Sequence, residues 1–548
     1  MRRFEIVLLV LLLLLCPYAS ASNIYEEQLD RGIRNNEPYS YTLSKKAETS
    51  QDKRQLLSDA IRHSPDTPLF YFKLSKEVLP DIFASSDYIL DGIKAYKRNF
   101  WWRLSLIRLL YVSLLLSFVI SVTLVLLIQL PKTIPLIRHE IEENRKKLAL
   151  LLIVIFCSLL GPLFFIAGVL LITGLYVKRA DKVLVYATLL LILFSPIFLR
   201  QANILFSASS PELRAIVSVN EGRDTRHAVQ TLMGKADFVS RFSYALALKK
   251  EGRFEEAIAE YMALADKNDH RVYINMGNAY VGLGEMELAK QSYDRAIAIK
   301  KSVAGLYNLS QVYRDTFDFP KGEEYFLQAV NLNRDMVSSF TAITSRSPNR
   351  FVMDTTLTEK DYWDIAVKEH REIIRVFAIN PLLISLSAVF LIVLFYFIDR
   401  KSKHKPRFCA RCGSVFCGKC AKRAKADMCS KCYSSFITPT ERAPKEKVAI
   451  LLSIHEQKDK KRKITGMLSF APPGIAHLYS GKLLIGFIYL WLFMFPLMVL
   501  TLNWIFTRLS PPSRYNHSWL YVPALVSIVI LYLLSILAIQ RRQKKGWL

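Results

Sequence analysis

Six apolar blocks constrain this chain more than anything else in it: residues 104–130, 148–176, 183–199, 381–398, 483–506 and 519–539. About 20 apolar residues is the length at which a helix crosses the hydrocarbon of a bilayer. Inside lipid the backbone must satisfy its own hydrogen bonds, so such blocks are expected to be helices. Trp101 and Trp102 stand just before the first block, where interfacial aromatic anchors belong. The second block is interrupted by Gly161-Pro162, and residues 464–478 form a shorter apolar stretch. At 548 residues the chain is 52% hydrophobic with mean hydropathy +0.20, too apolar for an ordinary soluble protein of that length. A lipid bilayer is therefore an expected partner.

The formal net charge of +27 would fit nucleic acid if it lay on one folded face. Instead, residues 400–463 alone hold 19 Lys and Arg against 5 Asp and Glu, and further basic clusters flank other apolar runs. That distribution is what the positive-inside rule predicts for cytoplasmic loops. The basic stretch has few aromatics on which bases could stack, and no nucleic-acid partner is expected. Met1-Arg2-Arg3, the apolar run 6–15 and Ala19-Ser20-Ala21 read as a secretory signal peptide over residues 1–21. Cys16 follows Leu15, where a lipoprotein site wants Gly, Ala or Ser. Residues 22–98 then start outside the cytoplasm. Leu56, Leu57, Ala60 and Ile61, the break at Ser64-Pro65, and Phe70, Tyr71 and Leu74 predict a helical segment there.

Between the third and fourth blocks an internal repeat appears. Gly277, Tyr280, Gly284, Ala289, Tyr293 and Ala296 recur 32 residues earlier as Ala245, Leu248, Gly252, Ala257, Tyr261 and Leu264. They recur 33 residues later as Ser310, Tyr313, Gly322, Phe326 and Ala329. This pattern, over residues 241–334, resembles the tetratricopeptide repeat, a pair of packed helices repeated about every 34 residues. The resemblance implies an α-solenoid in which the small residues let helices approach and the aromatics fill the gap to the next repeat. It also implies protein partners held on the concave face. Asn275, Asn278, Asn308 and Gln311 are candidates for that face as exposed positions of each repeat's first helix; the plainer alternative is ordinary solvated polar residues. Asparagine is common there in peptide-binding members of the family. The break at Ser64-Pro65 resembles the join between two such repeats, with a plain helical hairpin as the alternative.

Six of the eight cysteines form three CxxC pairs, Cys409/Cys412, Cys417/Cys420 and Cys429/Cys432. Two thiolates at that spacing can reach one tetrahedral Zn²⁺, and two pairs complete its four ligands. Structural zinc is the expected cofactor, ahead of disulfides or redox chemistry. Residues 407–420, RFCARCGSVFCGKC, resemble the middle of a FYVE-type zinc finger, although the upstream pair and the basic motif of that family are missing. Its cross-brace would put Cys409 and Cys412 with Cys429 and Cys432 on one ion. Cys417 and Cys420 would then need His404 or an outside ligand.

Pro473-Gly474 through Leu478-Tyr479-Ser480-Gly481, with Gly486, resembles the PG…LYxG turn of small bacterial two-helix membrane domains, where His477 reads as a turn or interface residue. No HExxH, GxSxG, Walker or GxGxxG arrangement occurs in a fitting context, so no enzyme is expected. Thiolate ligands and the basic count place residues 400–463 in the cytoplasm, and the tail at Arg541 agrees. The repeats then lie outside if 148–176 re-enters without crossing; three full crossings would make them cytoplasmic. The resulting map is signal peptide 1–21, extracytoplasmic helical segment 22–98, membrane region 99–200, repeat domain 201–378, transmembrane helix 379–398, zinc module 399–435, basic linker 436–463, membrane helices 464–540 and basic tail 541–548. The expected class is all-α. The expected protein is a bacterial inner-membrane scaffold, with a transmembrane regulator or an accessory component of envelope transport or secretion as alternatives.

Overall fold

The computed structural model describes residues 24–30, 32–143, 149–208, 210–223, 225–346, 351–372, 380–401, 407–409, 415–416, 428–429, 432–433, 444–509 and 515–544. The signal-peptide reading and Cys412, Cys417, Cys420 and His404 lie outside these residues. The described fold is helical apart from one hairpin, in which Arg407–Phe408 pairs antiparallel with Val415–Phe416. Two compact units divide the chain. One comprises Met1–Leu104 and Ser207–His370, the other Ser105–Phe206 and Arg371–Leu548.

The first unit joins the early helical segment to the repeats. Helices Glu37–Ala47 and Lys53–His63 pack as one pair, and Pro68–Glu77 and Ile82–Arg98 as another. Ala60 and Phe70 are fully buried among them, and the ring of Phe72 lies against Gly92. The solenoid follows as helix pairs Phe238–Lys250/Phe254–Met262, His270–Leu283/Met286–Ile299 and Val303–Asp315/Phe319–Leu332. Local chemistry sets these helix ends. The side chains of Asp237, Asp269, Ser302 and Asp318 accept first-turn backbone N–H groups that have no intrahelical partner. Gly284 ends its helix at φ 81°, a left-handed conformation that costs a glycine nothing. The repeat's small and aromatic positions are core, as the spacing implies: Ala257, Tyr261, Ala289, Tyr293 and Ala296 have no exposure. A Cβ at Gly277 would meet the Tyr293 ring at 2.6 Å, so only glycine permits that approach.

Helices Arg334–Arg346 and Glu359–Lys368 complete the unit, and the second packs against Pro211–Asn220. A buried polar network ties the parts together. Asp66 takes Nε of both Arg34 and Arg98 at 2.6 Å and Nδ2 of Asn35 at 3.0 Å. Burial pushes its carboxyl up, but the hydrogen bond and charge of Arg34, with Asn35 and Arg98, outweigh that and hold it below the usual range. Glu221 accepts the backbone N–H of Phe100 at 2.7 Å and pairs with Arg223 at 2.9 Å.

The second unit holds the apolar helices. Among the described residues of the chain, four helices are long and apolar enough to cross a membrane: Phe100–Arg138, whose first residues belong to the first unit, Pro381–Arg400, Leu483–Thr507 and Ser518–Lys544. The third block is bent: Arg179–Leu193 and Ser195–Ser207 meet at 54°, beside Pro196, whose missing N–H cannot continue the ladder. The second block is broken where its sequence indicates, into Ala149–Leu160 and Pro162–Gly174, with Gly161 between at φ 125°. One core joins these helices through Val125, Phe164, Leu171, Leu189, Leu391 and Phe487. Lys132 donates to the carbonyls of Leu478 and Tyr479 at 3.1 Å, and Lys182 pairs with Asp399. The PG…LYxG motif is a close approach of backbones. A Cβ at Gly474 would lie 2.2 Å from the carbonyl oxygen of Gly486, and buried His477 stacks on Tyr489. Residues 444–463, read from sequence as a basic linker, fall within a 25-residue helix, Pro444–Leu468.

Candidate functional site

The concave face of the solenoid is built from the first helix of each pair, where a residue one or two turns from its neighbour points the same way. Asn275 and Asn278 share one such face of His270–Leu283, and Asn308 lies on Val303–Asp315. The sequence reads them as exposed. The structure corrects that expectation: Asn275 and Asn308 have no exposure and Asn278 has 2%. The cause is a segment of the same chain, residues 353–357, whose backbone lies against them.

The contacts follow a strand's period of two. Met353 donates its N–H to Oδ1 of Asn308 at 2.7 Å, and its carbonyl accepts from Asn308 at 2.8 Å and Asn278 at 3.0 Å. Two residues on, Thr355 exchanges both backbone groups with the Asn275 amide at 2.9 Å each. Two further on, the N–H of Leu357 donates to Oδ1 of Asn220 at 2.9 Å. The segment thus runs against the order of the repeats. A primary amide carries a donor and an acceptor side by side, so one asparagine can serve both groups of one backbone residue without reading its side chain.

These amides are themselves held. Oδ1 of Asn278 accepts from Tyr293 Oη and from Asn308 Nδ2, both at 2.8 Å, while Asn220 Nδ2 donates to Ile216 O and Ser243 Oγ. Side-chain selectivity enters at Asp354. Its carboxylate pairs with Lys249 and accepts from Asn278 Nδ2 at 2.8 Å. Met353 and Leu357 are buried, Met353 against Val303, Leu306 and Tyr307. Gln311 is half-buried and donates to Ser310 Oγ at 3.3 Å. Asn220 and Lys249 lie outside the residues singled out from sequence. Asn220 closes a helix with no repeat signature, and Lys249 is one member of a Lys-Lys pair that reads as solvated surface. A cleft of about 840 Å³ adjoins the segment, lined by Arg34, Asp66, Arg98, Glu221 and Tyr362 among others.

The cysteine cluster lies in the other unit. Cys409 follows the first strand of the hairpin, and the sulfurs of Cys409, Cys429 and Cys432 lie within 4.8 Å of one another. All three are buried, beside Phe416, Met428 and Ile454, and none is in a disulfide. Four thiolates about 2.3 Å from a tetrahedral Zn²⁺ stand about 3.8 Å apart, so this donor set fits such an ion. The other three cysteines of the cluster lie outside the described residues.

Residues 270–302 and 303–336 match the tetratricopeptide-repeat family. The match covers the helix pairs that carry Asn275, Asn278 and Asn308, in a module that serves protein interaction and is not catalytic. No curated protein matches the chain.

Proposed function

We propose that this chain is a membrane-anchored scaffold whose repeats hold a protein partner through an extended peptide, with a structural zinc module as a second docking element. The observation that carries the reading is the row of asparagines gripping a backbone at alternate residues. Strand-wise recognition of this kind takes affinity from the main chain and specificity from neighbouring pockets. On this reading the chain is not an enzyme.

The membrane placement rests on apolar surface. Along Tyr521–Lys544, Val522, Leu525, Val529, Leu533 and Leu537 are about half exposed or more, an apolar face that water would not tolerate. Residues 24–98 and the repeats fold into one unit, which supports their lying on one side of the membrane. With the second block re-entrant and the bent third block crossing, this supports repeats outside the cytoplasm and zinc inside it, in a bacterial inner membrane. Cys409, Cys429 and Cys432, with Cys412, would hold the ion. Zinc would supply cross-linking of a module too short to bury a core of its own.

One observation favours a second reading, signalling across the membrane. Helix Glu359–Lys368 directly follows the groove segment and contacts the start of the first membrane helix. Glu359 pairs with Arg103 at 2.7 Å, and Tyr362 and Trp363 stack edge-on against Phe100. In-membrane crosslinking followed by purification tests the scaffold. A specific partner is expected, and Asn278→Ala with Asn308→Ala should lose it while circular dichroism is unchanged. A crosslinked partner retained by that folded variant would place recognition elsewhere.

A further inference from the structure

We infer that the groove selects an extended peptide with an acidic residue at its centre, and that residues 351–357 are a resident pseudo-ligand which such a partner displaces. The inference rests on the scaffold reading and adds the class of partner and its regulation. Its footing is the way the segment is bonded. The Met353, Thr355 and Leu357 backbone hydrogen-bonds to asparagine side chains of the groove, in the arrangement a peptide from another chain could take over one for one. An exchange of strands would leave the number of hydrogen bonds unchanged, so the groove can trade occupants without stranding a buried amide.

Lys249 fixes the chemistry of the replacement. Its side chain is 14% exposed and Asp354, its partner, is 11% exposed. A departing Asp354 would leave that ammonium without its carboxylate in a poorly hydrated place, which a neutral peptide could not remedy. An acidic residue at that position restores the pair, and a basic one is rejected. On either side the groove wants apolar residues, because Met353 and Leu357 are buried while Thr356 between them is exposed. The partner is thus an extended stretch patterned apolar, acidic, small hydroxyl, any residue, apolar. Tethering gives the resident segment an effective concentration on the order of millimolar, so a free peptide of micromolar affinity would be masked roughly a thousandfold.

The test uses the full chain in detergent and a fluorescent peptide of residues 351–357, Phe-Val-Met-Asp-Thr-Thr-Leu. Wild type should bind it weakly. The variant Asp354→Lys, whose own segment is loosened, should bind it at least tenfold more tightly. Adding Asn278→Ala and Asn308→Ala should remove that gain, and a peptide with lysine in place of its aspartate should bind at least tenfold more weakly. A folded Asp354→Lys variant that binds no better than wild type overturns the inference. Hydrogen exchange gives a second measure in wild type itself. The amides of Met353, Thr355 and Leu357 should exchange at least tenfold faster than those at the centre of His270–Leu283. Equal rates would mean the segment leaves only on unfolding, as a fixed structural strap would, and would overturn it too. The two readings can fail separately. Partner capture without dependence on Asp354 removes the pseudo-ligand, whereas peptide binding without any crosslinked partner removes the scaffold.

Discussion

Glu221 stands at the crossing of three parts of the first unit, and its charge state is set by that position. Burial pushes its carboxyl up to about 7, against the pull of Arg223 and the Phe100 N–H. The ordinary value is 4.5, so between about pH 4.5 and 7 the folded protein binds a proton that the unfolded chain releases. Its contribution is therefore present at low pH and is lost as pH rises through 7. Glu221→Gln cannot ionise and lacks this slope. Between pH 5 and pH 8 the stability difference should move toward the glutamine variant by about 2–3 kcal/mol. Denaturant titrations of the detergent-purified proteins at both pH values measure it, and parallel behaviour would mean that Glu221 is already ionised at pH 5. Nothing in the sequence marks this residue. Gly277 is the opposite case, because the repeat alignment marks it as a small position, shared with Ala245 and Ser310, where the Tyr293 ring lies close.

Among elements, the cysteine hairpin is the one that the proposed zinc would hold together. Its strands are two residues each, and among the described residues Phe416, Met428 and Ile454 pack against the cysteines. Metal affinity and local folding should be one equilibrium. Cys409→Ser or Cys432→Ser should lose bound zinc and open residues 408–433 to protease, read by metal analysis and limited proteolysis. Cys417→Ser decides the number of ions. Metal content near one per chain is expected if Cys409, Cys412, Cys429 and Cys432 hold a single zinc, and a fall shows that the inner pair also ligates. Purified protein without zinc and with intact disulfides would contradict both the metal and the cytoplasmic placement. The bend in the third apolar block is an element-scale feature that hydropathy does not register, because an average over a window is blind to where Pro196 interrupts the backbone ladder.

At the scale of the whole molecule, the proposed topology makes a direct prediction. A compartment-sensitive reporter fused after Arg334 should be active only in the periplasm, and one fused after Tyr433 only in the cytoplasm. Matching compartments would mean that Pro381–Arg400 does not cross and would undo the map. That map has five crossings, with the bent pair Arg179–Leu193 and Ser195–Ser207 counted as one span and 149–174 as none.

The sequence by itself determined what depends on periodicity and covalent spacing. Helical class and the break at Gly161-Pro162 are local, set within a turn or two of the chain, while the repeat phase and the pairing potential of the cysteines are read from residue spacing alone. It also offered Asn275, Asn278 and Asn308 as candidates for one face, the first two by helical spacing and the third by the repeat that carries position 275 to 308. Only the tertiary structure decided what covers that face. The occupant lies 45 residues beyond Asn308 and 137 beyond Asn220, and it pairs through backbone groups that every residue possesses. A contact made by the main chain leaves no signature in side-chain identity, which is why the asparagines could be singled out from the sequence and the segment that covers them could not.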